Sequence, residues 1–184
     1  SRQREGLEVI NSQVKNLTAF LDSYHRLTHL PEPEYKTVSV PALFTKLERL
    51  LQAEPRSERV VYCDGKADRS TGKELQVYGD ANLLTLALIN LIRNALQAVE
   101  GQEDGIVRVD TCAGATGHLL ITITDNGPGI PPERLSAIFT PFFSTKSGGS
   151  GIGLPISQRI MQLHGGQLSV SSIPNVRTEF RMEF

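Results

Sequence analysis

The sequence predicts an α+β fold of two layers, a mixed sheet covered on one face by helices. Two observations lead there. Runs that alternate apolar and polar residues, such as "HLLITIT" and "TEFRMEF", are interspersed with longer stretches whose apolar residues recur every three or four positions. Such strands and helices bury their apolar sides by packing as layers. At 184 residues, 39% of them hydrophobic and 21% charged, the chain is long enough to bury a real core.

From residue 4 to about 29, Leu7, Ile10, Val14, Leu17, Leu21 and Tyr24 alternate steps of three and four, widened by Phe20 and Leu27, as a heptad seam does. No later helix matches its length, so its expected partner is another copy or a helix outside this sequence. "LPEPEY" ends it, because a residue before proline is pushed out of the helical region. The expected division is a helix over 1–30, a linker over 31–37 and a domain over 38–184. In that domain "TVSV" reads as a strand, followed by a helix from Ala42 to Ala53 and strands near 59–64 and 75–78. A long helix starts at Asp80, a good N-cap, and stops before Gly101. Strands near 106–112 and 118–124, a helix around 152–163 and a closing pair of strands, "QLSVSS" and "TEFRMEF", complete it.

A formal charge of −1 gives none of the basic footprint that a phosphate backbone requires. Cys63 and Cys112 lie in strand-like runs and read as small buried hydrophobes in a reducing compartment. The apolar stretch "NLLTLALINLI" is broken by Asn90, then Arg93, far short of the roughly 20 residues of a membrane helix. No signal peptide is evident, and Ser1 opens in mid-helix, as in a piece of a longer protein.

Four stretches carry chemistry. In "GDANLLTLALINLIRNALQAVEG", Leu84, Leu88, Leu91, Ala95 and Val99 form a core face. Asn90 and Asn94 stack one turn apart on another face, flanked by Leu83, Leu86 and Ala87. They line a half-buried pocket in this reading. "DNGPGI" (125–130) leaves its strand on a carboxylate, with more glycine than an exit turn needs. "GGSGIGLPISQRI" (148–160) runs a glycine-rich loop into a helix, where backbone N–H groups can hold phosphate oxygens. It is neither a dinucleotide fingerprint nor a P-loop. Between these, "IFTPFFSTKSGGS" places three phenylalanines about Pro141, followed by Thr145 and Lys146, as an apolar anchor and a cation would be placed in a mobile lid.

With these stretches in this order, residues 38–184 resemble the catalytic, ATP-binding domain of sensor histidine kinases, of the Bergerat type shared with gyrase, the Hsp90 chaperone and MutL. "FLDSYHRLTHLPEPE" resembles the second helix of their dimerisation and phosphotransfer domain. The resemblance implies roles. Asp125 accepts from the adenine amino group, and Gly127 and Gly129, with Ile130 beside them, let the base approach. Asn94 is the Mg²⁺ ligand, suited to a hard cation, and Asn90 supports it. Gly149, Ser150, Gly151, Ile152, Gly153 and Leu154 cradle the phosphates. Phe139, Phe142 and Phe143 anchor the lid, Thr145 and Lys146 reach the nucleotide from it, and Thr178 helps hold the adenine through water. Asn90, Asn94 and Lys146 are the residues nearest the chemistry.

Hydrolases of the wider group carry a glutamate where this chain has Asn90, which cannot take a proton. The implied function is to bind Mg-ATP and pass the γ-phosphoryl to a histidine on the dimerisation domain, for relay to a response regulator's receiver domain. The acceptor motif, a histidine followed by an acid, is absent: Arg26 follows His25 and Leu30 follows His29. Autophosphorylation is therefore not expected of this chain alone. His164 reads as structural, at a helix end. The expected partners are ATP, a second copy through the N-terminal helix and a response regulator, with no nucleic acid and no direct membrane contact. The expected location is cytoplasmic, whether or not the parent protein is anchored in the inner membrane. A serine kinase of the anti-sigma type and an inactive docking module are the competing readings.

Overall fold

The computed structural model describes residues 11, 13, 14, 18, 21, 24, 25, 28–63, 73–113, 118–144 and 149–184. Five strands form one mixed sheet in the order β2-β4-β5-β7-β6, with β2 Val60–Tyr62, β4 Val107–Ala113, β5 Leu119–Asp125, β6 Gln167–Ile173 and β7 Arg177–Glu183. Only β2 and β4 run parallel; the other neighbours are antiparallel. β1 Lys36–Ser39 and β3 Gln76–Gly79 pair with each other as a separate two-stranded sheet. Helices α1 Val40–Leu51, α2 Ala81–Ala98 and α4 Gly153–Leu163 supply the second layer, and α3 Pro132–Leu135 is a single turn.

The core follows the periodicities. Leu119, Ile121 and Ile123 of β5, Val107 and Val109 of β4 and Phe180 and Met182 of β7 are buried together with Leu84, Leu88, Leu91, Ala95 and Val99. The expected α2 core face is therefore the observed one. α1 starts two residues earlier than expected, because the Ser39 hydroxyl accepts from Ala42 N and Pro41 occupies the first turn. Cys112 departs from the expectation of a buried position. The two-residue period of β4 turns it outward with Arg108, and it is exposed, while Cys63 is half-buried beyond β2. In the N-terminal segment the described residues from 11 to 28 are helical. Val14, Leu21 and Tyr24 of the expected stripe are exposed there, as are His25 and His29, whose rings stack at 4.3 Å.

One junction fixes α2 and α4 relative to each other. Asp80, 8% exposed, caps α2 by accepting from Asn82 N (2.8 Å) and Leu83 N (3.0 Å), and its other oxygen accepts from Glu34 N (2.8 Å). Its own N–H donates to His164 Nε2 (2.9 Å), while His164 Nδ1 faces the Ile160 carbonyl at 2.7 Å. A carbonyl only accepts, so the ring carries its proton on Nδ1. His164 thus ties the end of α4 to the start of α2, the structural place the sequence suggested. Tyr35 donates to Leu163 O and packs edge-on to the same imidazole.

Burial pushes the Asp80 carboxyl upward, but the three backbone donors together with the nearby His164 outweigh it and hold the group below its ordinary 3.8. Asp80→Ala is expected to lower stability by about 1–2 kcal/mol in urea denaturation near neutral pH. Because the folded carboxyl is depressed, its contribution is present above 3.8 and lost as pH falls below that value. The gap between parent and variant should accordingly be constant at higher pH and shrink only in acid.

Candidate functional site

The burial pattern of β5 alternates through Leu119, Ile121, Ile123 and Asp125, so the strand's last inward position is a carboxylate. Asp125 is 2% exposed. Across the sheet its Cα partner is Thr178 on β7, 4% exposed, and Thr178 is in turn paired with Ser172 on β6. The three side chains form a polar row on the face that otherwise carries the core. The Ser172 and Thr178 hydroxyls lie 3.1 Å apart, and Ser172 Oγ accepts from Ile130 N at 2.8 Å. Ser172 was not singled out in the sequence, although its in-phase position with Leu168 and Val170 marks the same face.

Above this row opens a cleft of about 490 Å³. α2 walls it with Asn90, Arg93, Asn94, Gln97 and Ala98, spaced as one helix face. Asn90 and Asn94 do share the cleft. Arg93 and Gln97 were missed, yet the same spacing of three and four would have found them. α4 meets this wall at its first residue: Asn90 Nδ2 donates to Gly153 O (3.3 Å), and Ser157 Oγ donates to Gly153 O (3.0 Å) and Ala87 O (3.4 Å). No side chain caps α4, which leaves its N-terminal end turned toward the cleft without a protein acceptor of that kind.

The glycines of "DNGPGI" answer first to the protein's own packing. Gly127 N donates to Asp125 Oδ1 at 2.9 Å, and a Cβ there would meet that oxygen at 2.7 Å and Ala98 Cβ at 3.0 Å. Gly127 therefore holds the carboxylate from below and does not line the cleft. Gly129 does line it, with φ +74° and no room for a Cβ against Ile173 O (2.7 Å). Pro128 and Ile130 lie beside it in the lining.

The glycine loop contributes Gly149, Ser150, Gly151, Gly153 and Leu154 to the lining, whereas Ile152 turns into the core. Gly151, at φ +65°, is pressed on the phenylalanine segment: its carbonyl accepts from Phe142 N (2.9 Å), and a Cβ would fall 2.6 Å from Phe142 C. Phe142 stands apart from the other two expected anchors. Its φ of +65° swings the ring outward, 39% exposed, so Phe143 lines the cleft and Phe139 packs on the core instead. Thr145 and Lys146 lie outside the described residues. Pro131, Arg134, Ile138, Ser144 and Phe180 complete the enclosure.

A sheet floor, a wall of two helices and a glycine loop at a helix start make this an ATP-binding domain. The model of the histidine kinase-, DNA gyrase B- and HSP90-like ATPases matches residues 79–184, and the chain belongs to that family. Sensory histidine kinase/phosphatase NtrB of Vibrio alginolyticus is 33% identical over 184 aligned positions, 95% of this chain and 50% of that protein. Sensor histidine kinase ZraS of Salmonella typhimurium is 43% identical over 98 positions, 53% of this chain and 21% of that one. The chain thus spans a fifth to a half of these relatives. The catalytic domain of histidine kinase ThkA superposes with a TM-score of 0.66 at 27% identity, over 82% of this chain and 95% of that one. ThkA in complex with response regulator protein TrrA shares the fold at a TM-score of 0.71 and 22% identity, over 96% of this chain and 49% of that one.

Two glycines of the loop should respond differently to a methyl group. Gly151→Ala meets backbone atoms in a left-handed conformation and is expected to cost about 1–3 kcal/mol of stability. At Gly153 a Cβ reaches only the Asn90 side chain, at 3.7 Å or more, an ordinary contact at the start of a helix. Urea denaturation of Gly153→Ala should match the parent to within a few tenths of a kcal/mol, so any loss of ATP affinity in that variant reports on the ligand.

Proposed function

We propose that this domain binds ATP with magnesium and presents the γ-phosphoryl to a histidine on a dimerisation domain, from which it passes to a response regulator's aspartate. The observation that carries the reading is the buried Asp125 at the cleft floor, paired across strands with Thr178. A carboxylate there accepts from an exocyclic amino group, and the Thr178 hydroxyl can hold a bridging water. The relatives' names support the kinase assignment, and ThkA's complex with TrrA supports a response regulator as the recipient. The exposed Val14, Leu21 and Tyr24 support pairing of the N-terminal helix with another copy in the parent protein.

Among the described residues no group of three His, Cys, Asp or Glu could hold a metal ion. The donor set that does fit magnesium is one neutral amide oxygen, Asn94, completed by water and by the phosphates the ion arrives with. Bound in that way, magnesium neutralises phosphate charge. Asn90 gives its amide nitrogen to Gly153 O, so it acts by holding α4 against α2 next to that position. The backbone N–H groups of the loop from Gly149 to Gly153 hold the phosphates in this reading, and Lys146, outside the described residues, is the cation proposed to reach them.

Asp125 is the one acid among the described residues that line the cleft, and its place at the floor puts it with the base. No lining carboxylate is left to activate water beside the phosphates, and Asn90 cannot do so. The domain therefore orients the γ-phosphoryl for a nucleophile supplied from outside, with positioning as its main catalytic contribution.

Two titrations test this. Asp125→Asn exchanges an acceptor for a donor facing the adenine amino group and loses a charge-assisted bond worth about 1.5–3 kcal/mol, or about 10- to 100-fold in ATP affinity. GTP should bind the parent poorly for the same reason, and equal affinity for the two nucleotides would reject the adenine assignment. Asn94→Ala should leave nucleotide binding nearly indifferent to magnesium, compared with and without a chelator. Retention of the parent's full magnesium dependence would remove Asn94 as the ligand.

A further inference from the structure

We infer that Arg134 is a phosphate-binding residue of this cleft and sets its preference for nucleotides with a polyphosphate tail; the inference rests on the ATP reading above. Two cationic side chains line the cleft among the described residues, Arg93 and Arg134. Their electrostatic situations differ. Arg93 is already committed: Nε lies 3.0 Å from Glu54 Oε1, and a second nitrogen pairs with the same oxygen. Its charge is largely compensated before any ligand arrives. Arg134 lines the same space, is exposed and has no acidic partner among the described residues.

The backbone bearing Arg134 is fixed. Its N–H donates to Pro131 O (2.9 Å), and its carbonyl accepts from Ala137 N (2.9 Å) and Ile138 N (3.2 Å), while Ile138 packs on the core and lines the cleft. The side chain therefore starts from a set point on the part of the lining that follows Ile130 and Pro131, in the same cleft as Asn90 and Asn94. A guanidinium there presents several donors in a plane, matched to pairs of phosphate oxygens. Magnesium and backbone N–H groups compensate only part of a triphosphate's charge, and an uncompensated arginine supplies what the amides cannot. Nucleosides, which lack that charge, should be indifferent to it.

The experiment measures ATP and adenosine affinities calorimetrically on the full chain, for the parent, Arg134→Ala and Arg134→Lys, at low and high salt. In the parent, ATP is expected to bind more tightly than adenosine, with a preference that declines as salt rises. Arg134→Ala should weaken ATP binding about tenfold or more, leave adenosine unchanged and flatten the salt dependence. Arg134→Lys should recover part of the loss, since it keeps the charge and loses the fork. An Arg134→Ala protein with the parent's ATP-to-adenosine ratio and salt dependence would overturn the assignment while leaving the ATP reading in place. Equal losses for ATP and adenosine would overturn it as well, marking Arg134 as structural. A parent that binds neither ligand would fail at the earlier step and reject the ATP reading itself.

Discussion

A carboxylate at the last core-facing position of β5 constrains everything around it. Asp125 continues the row of Leu119, Ile121 and Ile123, and a charge placed among such neighbours is stable only where donors meet it. Gly127 supplies one from two residues along, and to do so its backbone must press so closely on the carboxylate and on Ala98 that no side chain fits. The chain then turns at Gly129 under the β6–β7 connection, where Asn175 N donates to Pro128 O at 2.8 Å. The loop beside the cleft is thus shaped by the requirement to hold one acid in a buried place. The acid in turn lies beside the hydroxyls of Thr178 and Ser172, on a floor that would otherwise be hydrocarbon.

The helices stand in the same dependence on few contacts. α2 and α4 are joined at the cleft by the amide of Asn90 and the hydroxyl of Ser157, and at the opposite end by Asp80 and His164. Hydrophobic packing between them resists separation, but it is non-directional and tolerates small slides. The polar bonds at the two ends fix the register, and register decides whether the asparagine face of α2 and the first turn of α4 point at one space. Gly79 belongs to this arrangement: a Cβ there would fall 2.5 Å from the His164 ring, so the glycine before the cap lets the imidazole close on Asp80.

Legibility in the sequence follows the range of the interaction that decides each feature. The layers, the strands and the core face of α2 were readable because they rest on periodicity, which a single segment carries within itself. Asn90, Asn94, Asp125, Gly129, Thr178 and the glycine loop were readable as members of one site because they stand in motifs. Arg93, Gln97 and Arg134 stand in none. Arg93 and Gln97 share the helical spacing of Asn90 and Asn94, but the place of Arg134 in the cleft follows from the relation of α3 to the rest of the fold, which no local pattern encodes. The separate pairing of β1 with β3 is of the same kind, since the register that joins Lys36 to Gly79 spans the whole of α1 and β2.

The phenylalanine segment shows how a composition can be read correctly and its geometry still be missed. Three aromatics beside a glycine loop do suggest an apolar anchor, and Phe139 is packed on the core as such an anchor must be. What divides Phe142 from its neighbours is a backbone choice made by contact with another segment. The Gly151 carbonyl accepts from Phe142 N, and the glycine's bare Cα lies against Phe142's own backbone, a pair of constraints that holds Phe142 at a positive φ no local preference would select. Each member of the pair thus depends on the other: the glycine must be bare for the segment to approach, and the segment must approach for the strained phenylalanine to be held. A substitution at either residue should loosen both the loop and the segment, and with them the parts of the lining that Phe143 and Gly151 supply.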